Sequence, residues 1–196
     1  MASFELMSAV QEYEEYIKTN GINERVIDAY CEAVKTAVAN EKDIEYGLKI
    51  SKRCKEIIET FCITTSGGTI WDLEKYSFKE KVSYEIIEKF YSVLLIEAQN
   101  KVVDSFFRYI EHKREPKERF YMPRRKQFLK IGLMDALQGM IDDRYDILCI
   151  SLIPGAGKTT IEKFFNAAVI GWFPKDFNLF YSHSGDITRM YYDGVY

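Results

Sequence analysis

Residues 148–160 constrain the fold more than any other stretch, because they join three patterns in a fixed order. An apolar run ends at Ile153, a turn rich in small residues follows, and a helical pattern begins after Lys158. Glycine at positions 155 and 157 permits unusual φ values and lets backbone N–H groups close around an anion. The helix that follows directs the positive end of its dipole to the same place. This order predicts a phosphate-binding loop between a strand and a helix.

The loop departs from the usual pattern G-x-x-x-x-G-K-[ST], because Leu152 occupies the position of the first glycine. The flanking segments compensate, since residues 145–153 are strand-like and residues 161–172 are helix-like. The alternative is a coincidental Gly-Lys-Thr turn. In the phosphate-binding interpretation, Lys158 reaches the β- and γ-phosphates and the Thr159 hydroxyl ligates Mg²⁺. The predicted phosphate-binding residues are Gly155, Ala156, Gly157, Lys158, Thr159 and Thr160.

Composition indicates a packed globular protein. Hydrophobic residues make up 47% of the 196 residues, which excludes a disordered chain, and the net charge of −3 does not indicate nucleic-acid binding. The four cysteines form no C-x-x-C pair and only two histidines are present, so we expect buried free thiols in a reducing cytosol and no zinc site. Residues 1–16 do not resemble a signal peptide, and no apolar run has membrane-spanning length.

Helical patterns dominate the first half of the chain. We predict a helix over residues 4–18, ended by Asn20-Gly21, and a second helix over residues 24–39, capped by Asn23. Asp43 is expected to cap a third helix. Apolar residues then recur at helical spacing over residues 83–112, which predicts one long helix.

A basic segment separates this region from the predicted loop. Residues 108–130 contain nine Lys or Arg and three Glu, with prolines at 116 and 123 that interrupt helix. The segment is interpreted as a linker between a helical region, residues 1–118, and a second region, residues 119–196. Contact with DNA phosphates and a solvated charged surface are equally good explanations of its charge.

The second region predicts an α/β fold. A strand at residues 145–153, the loop with its helix, and a second strand at residues 178–182 would form a β-α-β unit in one parallel sheet. Ser184 is expected to cap a last helix that starts near Asp186.

Three stretches resemble the large subunit of the tailed-phage terminase, in the version common in prophages of Gram-positive bacteria. Residues 121–129 (Tyr-Met-Pro-Arg-Arg-Lys-Gln-Phe-Leu) are similar to its adenine-recognition segment. Residues 151–160 (Ser-Leu-Ile-Pro-Gly-Ala-Gly-Lys-Thr-Thr) are similar to its deviant Walker A loop. Residues 180–184 and 192–195 are similar to the strand and helix that follow. The resemblance implies a P-loop ATPase with a RecA-like parallel sheet, in which adenine contacts come from Tyr121, Arg124, Arg125 and Gln127.

The resemblance also implies a function. The family uses ATP and Mg²⁺ to translocate double-stranded viral DNA into the capsid, together with a portal and a small terminase subunit. The parent protein is therefore expected to act in the cytoplasm of a bacterial host, away from membranes, and to form a homo-oligomer when assembled.

Part of the family's machinery has no counterpart in the sequence. No strand after the loop ends in the acidic pair that holds Mg²⁺ and activates water, because Asp176 precedes a predicted strand and Asp186 and Asp193 lie in a helical pattern. The clustered carboxylates of the family's nuclease domain are missing too. His183 invites a catalytic role, but capping or DNA contact is the better interpretation. We therefore expect an N-terminal fragment with no complete catalytic site, inactive alone.

Two other functions stay open. The first is a superfamily-2-like DNA helicase or translocase with an adenine-reading glutamine ahead of Walker A. The second is a non-catalytic interaction module in which residues 1–115 bind a partner protein. A small nucleotide kinase fits less well, because of the long helical region and the basic segment.

Overall fold

A computed structural model describes residues 4–70, 81–112, 114–120, 130–176, 179 and 185–193. Every regular element within these residues is helical, and none is a β-strand. The chain forms two compact units, Met1–Glu97 and Ala98–Tyr196. The predicted start of the ATPase region at residue 119 lies within the second unit and stays a prediction.

Four α-helices are described in the first unit, the last of which continues slightly past its boundary. They are α1 (Phe4–Asn20), α2 (Glu24–Val38), α3 (Ile44–Ser66) and α4 (Tyr84–Gln99), with a short 3₁₀ turn, Glu41–Asp43, before α3.

The ends of the first helices follow the sequence closely. Gly21 adopts a φ of 79° just after α1, and its N–H donates to Ile17 O at 2.9 Å, which closes the last turn. Asn23 caps α2 as predicted, because its Oδ1 accepts from Val26 N at 3.1 Å. Asp43 precedes α3 but makes no cap hydrogen bond with its side chain; its carboxylate accepts from Asn40 Nδ2 at 2.7 Å instead.

Polar side chains connect the helices of the first unit. The Glu14 carboxylate accepts two hydrogen bonds from Arg53, Nε at 2.8 Å and Nη2 at 3.0 Å, and a third from the Tyr30 hydroxyl. The hydrogen bond from Arg53 lowers the pKa of Glu14. These contacts join α1, α2 and α3 around the fully buried Tyr30.

The predicted single helix over residues 83–112 is wrong. The structure has two helices, α4 and α5 (Val103–His112), separated by a turn in which Lys101 adopts a φ of 66°. Gln138 stabilises the break: its Nε2 donates to Lys101 O at 3.0 Å and its Oε1 accepts from Val103 N at 2.9 Å. Since the side chain that satisfies these backbone groups lies far along the chain, helical periodicity alone cannot locate the break.

Three α-helices of the second unit, α5 and the two named α6 and α7 below, pack around one small core. After α5 come a π-helical turn (Lys130–Met134), α6 (Asp135–Ile141), α7 (Lys158–Trp172) and α8 (Gly185–Tyr192). The rings of Phe107 and Phe164 meet edge to face, with centroids 5.4 Å apart. Trp172 Nε1 donates to Ala98 O at 2.8 Å, which fixes the far end of α7. The buried core residues are Val103, Phe107, Met134, Leu137, Ile161 and Phe164.

The predicted α/β fold with a parallel sheet is also wrong, since the described part of the chain is all-α. Residues 145–153 form no strand, although their side chains alternate as those of a strand would. Leu148, Ile150 and Leu152 pack against the core, whereas Ile147 and Ile153 are 81% and 75% exposed. The side chains thus have the alternation of a strand, with one face on the core and the other in solvent. A strand also requires backbone hydrogen bonds to a neighbour, and these are absent among the described residues.

The predicted second strand, residues 178–182, lies outside the described residues except for Leu179. The predicted cap Ser184 lies outside them as well, whereas the helix expected near Asp186 is confirmed as α8.

The alternation makes a testable prediction about residues 145–153. Ile150→Ala is expected to lower the free energy of unfolding by about 1–2 kcal/mol, because it removes apolar contact with the core from a partly buried side chain. Ile147→Ala makes the same chemical change on the exposed face and should alter stability by less than about 0.5 kcal/mol. Urea unfolding of both variants measures the difference. Equal losses would contradict the assignment of faces.

Candidate phosphate-binding site

The candidate site begins with a tight turn at residues 153–156. Ala156 N donates to Ile153 O at 3.1 Å, and Gly155 adopts a φ of 78° at the third position of the turn. Proline at the second position and a glycine with positive φ at the third are the residues of a type II turn. The Pro154-Gly155 pair therefore dictates a reversal of the chain just before α7.

The start of α7 leaves backbone donors available. Gly157 occupies the N-cap with φ 90° and ψ 27°, and its carbonyl accepts the first bond of the helix from Ile161 N at 3.1 Å. Glycine has no side chain that could cap the first-turn N–H groups, which have no partner within the helix. These N–H groups and the helix dipole together favour an anion at this end of α7.

All six residues predicted to bind phosphate lie at this turn and helix start. Gly155, Lys158 and Thr159 are exposed, Gly157 and Thr160 are half-buried, and Ala156 is buried. Ala156 therefore belongs to the inner side of the loop, where its N–H closes the turn on Ile153 O.

The predicted adenine-binding residues Tyr121, Arg124, Arg125 and Gln127 lie outside the described residues. The residue just before them, Phe120, is described. A Cβ built on Gly157 would lie only 1.7 Å from Phe120 Cζ, so the Phe120 ring packs directly on the backbone of Gly157.

Glu111 determines where Phe120 lies. Its carboxylate is completely buried, and Glu111 Oε1 accepts from Phe120 N at 2.7 Å. Neither residue was predicted from the sequence to belong to the site, since both fall in the segment interpreted as a basic linker. A signal for Glu111 was present, because it continues the i, i+4 row of Val103 and Phe107, the buried face of α5.

Several arginines of the basic segment make contacts within the protein. Arg119 donates to His112 O and to Arg114 O, each at 3.1 Å. The Arg114 guanidinium lies 4.9 Å from the centroid of the Phe164 ring on α7. Arg108 pairs with Asp104 at 2.9 Å. These contacts explain part of the charge structurally and leave open whether the segment also touches DNA.

The comparisons were made with protein families, curated proteins and solved structures. None of the three finds a match to this chain.

The fit of Mg²⁺ to the site rests on Thr159. Within the described ranges, no three His, Cys, Asp or Glu residues come together in a group that could hold a metal ion. The exposed Thr159 hydroxyl at the start of α7 could supply one oxygen ligand to a Mg²⁺ ion that is mainly bound by phosphate oxygens.

None of the described helices is both long enough and apolar enough to span a bilayer.

Proposed function

We propose that this chain binds Mg·ATP through residues 153–160, and that it forms the Walker A half of the ATP site in a DNA-packaging ATPase that resembles terminase large subunits. The observation that carries the proposal is the glycine-capped start of α7, directly after a Pro-Gly turn and with Lys158 exposed in its first turn.

Each part of this end of the helix has a role in holding a triphosphate. The backbone N–H groups of the first turn would donate to phosphate oxygens without the need for a charged side chain. Lys158 would add a positive charge that reaches the β- and γ-phosphates, and Thr159 would contribute its hydroxyl to Mg²⁺. Since no heavy atom of the described residues lies within 4 Å of the Cβ position of Gly155, the outer side of the turn offers space for a ligand.

Support for the packaging role comes from the amino-acid sequences of residues 121–129 and 151–160, which resemble the terminase segments. It assigns to the parent protein the translocation of double-stranded DNA, with a portal and a small terminase subunit as partners. Adenine recognition by Tyr121, Arg124, Arg125 and Gln127 belongs to the same proposal.

A titration with a fluorescent ATP analogue and Mg²⁺ tests nucleotide binding. Lys158→Ala is expected to weaken binding about 10- to 100-fold, since it removes a charge-assisted hydrogen bond to phosphate. Lys175→Ala removes the same charge from an exposed residue beyond the other end of α7 and should leave the affinity within about twofold.

Circular dichroism of each variant checks that the helices remain formed. Wild-type protein that is folded but binds no nucleotide would contradict the proposal. Equal affinity of the wild type and Lys158→Ala would show that nucleotide binds somewhere other than this loop.

A further inference from the structure

We propose that Phe120 is a positioning residue for the phosphate loop: its ring, held by buried Glu111, keeps Gly157 in the conformation that presents the first-turn N–H groups of α7 to an anion. This inference rests on the proposed nucleotide binding and goes beyond it, because it assigns a role to two residues outside the loop motif.

The Phe120 ring lies directly against Gly157. Three atoms of the Phe120 ring, Cζ, Cε2 and Cε1, lie 1.7, 2.0 and 2.9 Å from the place where a Cβ of Gly157 would be. Apart from the chain neighbours of Gly157, no heavy atom among the described residues lies closer to that position. The ring therefore covers the inner side of the loop at the residue that begins α7.

The Phe120 ring is itself held in place by its neighbours. Phe120 packs against the core of the second unit, and its N–H is bound to the carboxylate of fully buried Glu111. The Arg119 side chain donates hydrogen bonds to the carbonyls of His112 and Arg114, and so holds the segment before Phe120 against the end of α5. Phe120 is thus anchored to α5 through its backbone and contacts Gly157 through its ring.

The contact of Phe120 with Gly157 affects phosphate binding through the backbone freedom of the loop. Glycine loses more backbone freedom on ordering than other residues, and a loop that is ordered only when the ligand arrives has to offset that loss with binding energy. Phe120 restricts Gly157 in advance, whereas no heavy atom of the described part of the chain lies within 4 Å of the Cβ position of Gly155, the other glycine of the loop. The inner side of the loop is therefore pre-ordered and the outer side stays open.

The test compares Phe120→Ala with Phe106→Ala. Both phenylalanines are partly buried against the same core, but Phe106 contacts Trp172 at the opposite end of α7. Affinities for Mg·ATP and for inorganic tripolyphosphate are measured by calorimetry well below each variant's melting temperature. Phe120→Ala should lower the affinity for both ligands about tenfold, because binding then has to order roughly one more backbone residue.

The equal loss for the two ligands is the readout that locates the effect in the phosphate loop. Phe106→Ala should lower the melting temperature comparably and leave both affinities unchanged. Glu111→Gln, which retains a carbonyl acceptor for Phe120 N, should restore most of the affinity that Glu111→Leu loses.

Two failures can be told apart. If the wild type binds both ligands and Phe120→Ala binds them equally well, the positioning role is wrong and the phosphate loop stands. If the wild type binds neither ligand, the proposed function fails and this inference fails with it. A loss confined to Mg·ATP, with tripolyphosphate unaffected, would also overturn the role in the loop.

Discussion

Gly157→Ala is expected to destabilise the second unit by about 2–5 kcal/mol, which combines the penalty of a left-handed conformation with that of overpacking. The backbone of Gly157 has a φ of 90°, where a Cβ is strained, and the Cβ would overlap the Phe120 ring. The ring cannot move aside freely, because Phe120 is fixed at its N–H by Glu111 and at its side chain by the core.

Gly155→Ala is the matched control. Gly155 has a similar φ of 78°, but its added Cβ meets no atom within 4 Å, so only the backbone penalty of about 1–2 kcal/mol is expected. Urea unfolding followed by circular dichroism measures both variants.

A double-mutant cycle with Phe120→Ala then isolates the steric part of the Gly157→Ala effect. In the background of Phe120→Ala, the cost of Gly157→Ala should fall to that of Gly155→Ala. An additive cycle would mean that Phe120 does not press on Gly157 in solution.

Glu97→Ala is expected to destabilise the first unit by about 3–5 kcal/mol, because it leaves a largely buried charge without its partner. Glu97 is only 3% exposed and forms an ion pair with Lys55, whose side chain is 15% exposed. Ser51 Oγ also donates to Glu97 Oε1 at 2.6 Å. The change removes the acceptor that joins α3 to α4.

Glu85→Ala provides the comparison on the same helix. Glu85 pairs with Lys89 at 3.0 Å, but its side chain is 75% exposed, so its loss should cost no more than about 0.5 kcal/mol. Urea unfolding of the two alanine variants measures the contrast. Similar losses at Glu85 and Glu97 would contradict the view that burial determines the strength of the pair.

Local signals in the sequence predicted local structure well. Asn23 marked the start of α2, Asn20-Gly21 marked the end of α1, and the helix predicted over residues 161–172 is α7, which extends to Lys158 at its start. These features depend on neighbouring residues only, because caps and glycine turns act within a few positions of the chain.

Features that depend on distant residues were not predictable in the same way. The break at Lys101 is stabilised by Gln138, and the loop is covered by Phe120, which helical periodicity does not connect to Gly157. The apolar pattern of residues 145–153 predicted a strand, but it could not supply a pairing partner for their backbone. The burial of Glu97 was not predicted from the sequence, because only the packing of α4 against its neighbouring helices buries this residue.

The distribution of the cysteines gives the two units different chemical reactivity. Cys31, Cys54 and Cys62 are buried in the first unit, whereas Cys149 is exposed in the second, close to the phosphate loop. The neighbouring Cys31 sulfur, 3.7 Å away, and burial raise the pKa of Cys54, and burial raises the pKa of Cys62 to about 12. A thiol reagent should therefore modify Cys149 at once and the other three only when the first unit opens. The native chain thus accepts a single dye at Cys149, four residues before the turn of the loop, without any cysteine being removed, and the slow phase of labelling reports how often the first unit opens.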